Sequence, residues 1–396
     1  MNWFRQLAAL IGFNLRTLPA RRGSAIAAIF GVAGVVAVLV GVLSIGEGFR
    51  HVMIAAGSPD TAIVLRGGAD SEMTSVLSRD DVEIVRNEPH IARGGNGKPL
   101  ASPELFVLVD LPKRSTNTGA NVPMRGVREE AFAVRPEIKV VEGKMFAWGT
   151  NEVIVGRSAQ TQFSGTEVGT ELKFGQTTWK VVGVFEGKGG IAESEVWADA
   201  AVLAPAYHRG SSYQTVLVRL ASAGNFQQFK DALTSDPRTN LKIERETDYY
   251  AAQSRTMRLL VTGLAFIVCS LMGLGAIFGA LNTMYTAVSA RSRDIATLEA
   301  LGFGGGAVMI SVMVEALVLA LLGGIVGSLG AYLAFDGYRS ATMNWQTFSQ
   351  VAFAFQVTPA LMLGAIIYAL FIGIVGGFFP AIRAARIPVS VALRER

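Results

Sequence analysis

A single cysteine, Cys269, and only three histidines occur in 396 residues. One cysteine excludes a disulfide framework, so any domain here must be stable through its own core. His51, His90 and His208 stand far apart, and none belongs to a His-x-x-x-His or His-Glu-x-x-His pattern, which speaks against a zinc site. No Gly-x-Ser-x-Gly elbow accompanies them, so nothing marks a serine hydrolase. The Gly94 to Lys98 stretch resembles a phosphate loop only superficially. Pro99 follows the lysine where Ser or Thr is required, and an exposed turn is the expectation.

Charge is missing over long runs. Residues 23–46 and 259–290 carry none, 302–335 carry only Glu315, and 340–382 carry none. Each run exceeds the roughly 20 residues that cross hydrocarbon. The fold class predicted is an α-helical membrane bundle of four transmembrane helices, with a mixed α/β extracytoplasmic domain inserted between helices 1 and 2. The segments follow: a cytoplasmic interfacial amphipathic helix at 1–22, helix 1 at 23–46, the α+β domain at 47–257, helix 2 at 258–284, a cytoplasmic turn at 285–303, helix 3 at 304–335, an external loop at 336–357, helix 4 at 358–382 and a cytoplasmic tail at 383–396. The apolar core of 23–46 is longer than a signal peptide's, so an uncleaved anchor is expected. In 2–18, helical recurrence of apolar residues places Trp3 and Phe4 as interfacial anchors.

Orientation follows from arginine. Arg5, Arg16, Arg21, Arg22, Arg291, Arg293, Arg383, Arg386, Arg394 and Arg396 flank the runs, against Asp294, Glu299 and Glu395. Residues 47–258 hold 25 basic and 26 acidic side chains, so the net charge of +5 reflects topology rather than nucleic-acid binding. Both termini and the 285–303 turn are expected in the cytoplasm, with residues 47–257 and 336–357 facing out. The outer block shows strand-like runs at 61–65, 105–111, 153–155, 171–174, 179–185 and 213–220. Helical stretches are expected at 79–87, 157–163, 223–234 and 247–256. Residues 174–179 read as a hairpin turn, and 187–190 as a flexible glycine loop.

Three features within or between the runs invite function. The first is the charged turn RSRDIATLEALG, from Arg291 to Gly302. On a helix, Val288, Ile295, Leu298 and Gly302 share a face, with Glu299 at its edge, and Arg291 can pair with Asp294. A bilayer-surface helix is one reading. Docking to a protein is the other, because Asp294 and Glu299 would be repelled by anionic headgroups. The second is Glu315, an intramembrane acid: it either pairs with an arginine such as Arg291 or Arg386, lies on a proton or substrate path, or touches a dimer seam. The third is glycine spaced by four, at Gly275 and Gly279 and at Gly323 and Gly327, for packing within one bundle or between subunits.

One span, a large outer domain and three further spans resemble the MacB/FtsX-type permeases of ABC transporters. The resemblance is carried by NLRTL at 14–18 ahead of 25–46, by VIVG at 153–156 and WKVVGVF at 179–185, and by the 291–302 signature. EALVLALLGG at 315–324 and PAIRAAR at 380–386 with PVSVALR at 388–394 complete it. It implies a non-catalytic permease subunit working by mechanotransmission, paired with a second permease subunit and two copies of a separate ATPase. ATP and magnesium would bind that ATPase, and no cofactor is expected on this chain. The resemblance also implies a bacterial inner-membrane location and, as a further partner, a periplasmic adaptor or carrier protein for export of a drug or peptide or extraction of a lipoprotein. Arg291, Arg293, Asp294, Ile295, Leu298, Glu299, Leu301 and Gly302 would seat in the ATPase, and Asp at Ile295 and Leu298 should uncouple it. A membrane sensor or scaffold that relays an external binding event to a cytoplasmic partner is the competing reading.

Overall fold

The computed structural model describes residues 6, 7, 10–12, 22–55, 57–174 and 176–386. Five residues of the expected interfacial helix at 2–18 fall among these; they are helical, and Leu10 is buried. Trp3, Phe4 and the tail from 387 onward lie outside the described residues. The chain forms two compact units, Met1–Glu47 with Leu260–Tyr338 and Phe355–Arg396, and Gly48–Leu259 with Arg339–Ala354.

Among the described residues, four helices are long and apolar enough to cross a membrane: Arg22–Ala55, Glu246–Ser289, Gly305–Phe335 and Pro359–Ala384. The first two outrun their charge-free stretches. No glycine or proline interrupts 49–55 or 246–262, so nothing ends the helix where the apolarity ends. The helical stretch expected at 247–256 therefore fuses with the second span into one 44-residue helix. At 1.5 Å per residue that is about 66 Å, against a hydrocarbon core of about 30 Å.

Within the first unit, glycine sets how closely helices approach. A Cβ on Gly323 would lie 2.8 Å from Val32, and one on Gly327 would strike the Ala33 carbonyl. Gly373 and Gly377 face Ala320 and Ala316 in the same way. Packing inside the bundle explains these positions. It does not explain Gly275 and Gly279, where a Cβ would meet no described atom within 4 Å.

The second unit is built on a ten-stranded mixed sheet. Its strands are β1 (Thr61–Arg66), β2 (Ala101–Pro112), β3 (Gly119–Val127), β4 (Lys139–Gly143), β5 (Glu152–Gly156), β6 (Glu171–Phe174), β7 (Thr177–Glu186), β8 (Val196–Asp199), β9 (Thr215–Arg219) and β10 (Leu241–Arg245). The order is β10-β1-β9-β2-β3-β8-β5-β7-β4, with β6 on β7. β2 joins two halves. Ala101 to Glu104 pair with β9, and Leu105 to Pro112 pair with β3. One half packs Val64, Val216 and Val218 under the helices Arg79–Arg86 and Phe226–Thr234. The other packs Val107, Val155, Trp179 and Val196. β3, β4, β8 and β10 give weak sequence signals: β3 contains glycine, asparagine and proline, and the rest are four or five residues long.

Two expectations change here. The external loop at 336–357 contains a β-hairpin, β11 (Arg339–Asn344) and β12 (Ser349–Ala354), which joins the second unit. Ala352 donates its N–H to Ser194 Oγ (3.0 Å), and Asn344 Nδ2 donates to Gln253 Oε1 (2.7 Å). The 187–190 loop is also not slack: buried Glu193 accepts the N–H of Gly187 at 2.8 Å and of Gly189 at 2.7 Å. Lys188, between them, is held at φ 53°, a left-handed conformation that glycine adopts far more readily.

Candidate functional site

The charged turn folds as the helix Ser292–Ala300, in a connection between two membrane helices. Asp294 in its first turn suits the positive end of the helix dipole. Its end is a Schellman motif. Gly302, at φ 90°, donates to the Glu299 carbonyl, and Phe303 donates to the Leu298 carbonyl at 3.1 Å. Leu298 and Phe303 pack on the same apolar cluster, which fixes the angle at which the chain leaves. The connection is stiff.

Burial then separates the faces. Ile295 is 7 % exposed and packs with Met284, Val288, Val308, Val312, Ala381 and Ala384, while Leu298 is half-buried beside it. Both residues pack on the apolar cluster of the bundle that carries the helix. Arg293, Asp294, Thr297, Ala300, Leu301 and Gly302 are exposed, with Leu301 at 73 %. Glu299 is half-buried at the edge, and burial raises its carboxyl above the ordinary carboxylate range.

Arg291 turns inward. Its Nη2 lies 3.3 Å from Glu315 Oε1, and both side chains are nearly out of reach of water. Of the partners considered for Glu315, Arg291 is the one in contact. The pair ties the first residue of the turn to the third span. A cavity of about 20 Å³ beside it is lined by Leu10, Val288, Ile295, Ser311 and Val312, enough for about one water.

A second constellation escaped the sequence reading. At the seam of the two half-sheets, Arg125 on β3 is almost fully buried and donates all five of its N–H groups to carboxylates. Nε and Nη2 go to Glu195 at 2.7 and 2.8 Å, Nη1 and Nη2 to Glu72 at 2.6 and 3.1 Å, and Nη1 to Glu104 at 2.8 Å. Arg135 makes a bidentate pair with Glu104, at 2.5 and 3.1 Å. Trp197 Nε1 donates to Glu195 at 2.7 Å, and Tyr249 OH accepts the Glu72 N–H at 3.1 Å. Burial works against the Arg125 charge, but Glu195 and Glu72 hold its pKa well above the usual range. Glu104, although fully buried, is kept below its usual value by Arg135 and Arg125. The sole sequence clue is a pair of charges inside apolar strands, Glu104 in β2 and Arg125 in β3.

Compared with known proteins, residues 25–236 match the MacB-like periplasmic core domain, and 265–389 match the FtsX-like permease C-terminal. The macrolide export ATP-binding/permease protein MacB of Pasteurella multocida is 26 % identical over 424 residues, covering 98 % of this chain and 59 % of that protein. The pyoverdine export ATP-binding/permease protein PvdT of Pseudomonas entomophila is 25 % identical over 399 residues, covering 93 % and 56 %. The chain thus spans less than two thirds of the length of these relatives. Among solved structures, the periplasmic region of MacB from Actinobacillus actinomycetemcomitans gives a TM-score of 0.36 at 14 % identity, covering 49 % of this chain and 92 % of that one.

Proposed function

Because the chain belongs to the MacB/FtsX-type permeases of ABC transporters, we propose that it transmits ATP-driven motion from a cytoplasmic ATPase to its outer domain. The observation that supports this is the Ser292–Ala300 helix: anchored inward by Ile295 and Arg291, it presents Arg293, Asp294, Thr297 and Leu301 outward. A rigid helix with one free face is suited to being gripped. The ATPase is proposed as a separate chain in two copies, carrying the ATP and magnesium. Gly275 and Gly279, where a Cβ would meet no atom of the described residues within 4 Å, are proposed to face a second permease subunit. The named relatives are exporters, and export or extraction of a drug, peptide or lipoprotein is the direction proposed here. Both termini are proposed to be cytoplasmic.

The test is capture of this chain from its native membranes in mild detergent, beside Leu301→Asp. The wild type should bring down a soluble ATPase in roughly equal amount. Placing a charge at the centre of the free face should cut that recovery about 30-fold, the loss of one interface hot spot. The melting temperature should not change, since Leu301 is exposed. Equal ATPase recovery from both proteins would sink the assignment of this face.

A further inference from the structure

The seam cluster holds more acid than base. Glu72, Glu104, Glu195 and Glu246 are all buried there, against Arg125 and Arg135. Four carboxylates and two guanidiniums leave two negative charges in excess if every group is ionised, and buried excess charge is costly. Arg125 spends its donors on the first three acids, and both Arg135 hydrogen bonds to acid go to Glu104. Glu246, among the described residues, accepts from neutral groups: Thr61 Oγ1 at 2.5 Å and the Ser58 N–H at 3.5 Å. It is therefore the acid that a proton most easily neutralises.

Its place matters as much as its charge. Glu246 opens the long second span helix, ahead of the charge-free run that begins at Leu259 and within the outer unit. Thr61 starts β1, Glu104 is the last residue of β2 paired to β9, and Glu195 precedes β8. The helix thus begins where the two half-sheets meet. Tyr249 and Tyr250 of the same helix are buried against the cluster, with Glu72 acting on both. A cavity of about 10 Å³ touches Glu246, Tyr250, Arg125, Arg135, Glu195 and Glu137. Glu137 and Ser58 also line an open cleft of about 560 Å³, so a proton has a short way in.

We propose that Glu246 is a proton-binding site, and that its protonation pins the root of the second span helix to the seam of the outer sheet. Burial raises the Glu246 carboxyl to about 7, although Arg135, Thr61 and Ser58 favour the charged form; Glu104 adds to the rise. A raised carboxyl binds its proton more tightly in the closed joint than in the opened one. The joint is then firmest at low pH and loosens as pH climbs towards 7, after which the loss is complete. In the coupling reading this helix is the lever, so Glu246 is a positioning residue that sets how firmly lever and outer domain are joined. The inference rests on that reading for its functional meaning, but not for its measurement.

The experiment is hydrogen exchange of residues 246–256 in the full chain, in lipid nanodiscs, between pH 5.5 and 8.5 and corrected for the intrinsic chemistry of exchange. In the wild type, protection should fall about tenfold from pH 6 to pH 8, as an acid moving from near 4.5 to near 7 requires. Glu246→Gln, a neutral isostere, should flatten the profile and keep protection high at pH 8. Thr61→Val removes a donor to the charged form and should shift the midpoint upward. A flat wild-type profile, an unchanged slope in Glu246→Gln, or an unmoved midpoint in Thr61→Val would each overturn the proposal. None of these outcomes depends on an ATPase, so failure here and failure of the Leu301 test are separable.

Discussion

Ile295→Asp is expected to destabilise the membrane unit itself, and not merely to release a partner. The isoleucine lies among Met284, Val288, Val308 and Val312, with Ala381 and Ala384 against it. Removing a buried isoleucine side chain costs about 2–5 kcal/mol. A carboxylate placed there must lose its water or take up a proton, at a further cost of several kcal/mol. Arg291 offers little relief, because it is engaged with Glu315. The variant should therefore elute as aggregate or melt well below the wild type when heated in detergent and analysed by size exclusion, while Leu301→Asp should elute and melt as the wild type does. An Ile295→Asp protein with wild-type stability and lost ATPase recovery would return Ile295 to the docking face.

Arg125→Ala should have the largest effect on the outer unit. It removes five hydrogen bonds at once and leaves Glu72, Glu104 and Glu195 buried with Arg135 as the nearest remaining cation. Breaking a buried charge network by removing one partner costs about 3–5 kcal/mol. For a unit of this size, that is a fall of about 6–20 °C in melting temperature. The sign with pH is a second check. Without Arg125 the Glu104 carboxyl keeps its burial but loses one of the two guanidiniums that hold it down, so it moves upward and binds a proton more readily in the folded state. Stability lost at pH 7.5 should then be partly recovered at pH 5.5, since groups raised on folding stabilise below their folded pKa and not above it. Circular dichroism melts of the full chain at both pH values measure this. A loss that did not shrink on acidification would show that Arg125 acts by packing on Phe106, whose ring centre lies 5.4 Å away, and not by charge.

The two sites differ in how much the sequence could reveal. The 291–302 turn was legible because its elements are local: a charged stretch between apolar runs, a helical period, and a glycine at the end. That period correctly grouped Ile295 and Leu298 with Val288. It could not say which side of the helix met the bundle, because that depends on Val308 and Ala384, which are distant in the chain. The seam cluster was invisible for a stronger version of the same reason. Glu72, Glu104, Arg125, Arg135, Glu195 and Glu246 come from six separate segments, and apart from Glu104 and Arg125, which stand inside strands, each alone reads as an ordinary surface charge.

The spans were determined by the sequence itself, since hydrocarbon tests each contiguous run of about 20 residues on its own. So was the family, through short motifs along nearly the whole length. Tertiary structure decided what long-range pairing alone can decide. β2 changes partner between Glu104 and Leu105, from β9 to β3, and that single register places an acid at the seam. The 339–354 hairpin joins the outer unit through contacts such as Ser194 to Ala352, 158 residues apart. Local composition reports which solvent a segment needs, whereas burial of charge is settled by neighbours that the chain brings back from far away.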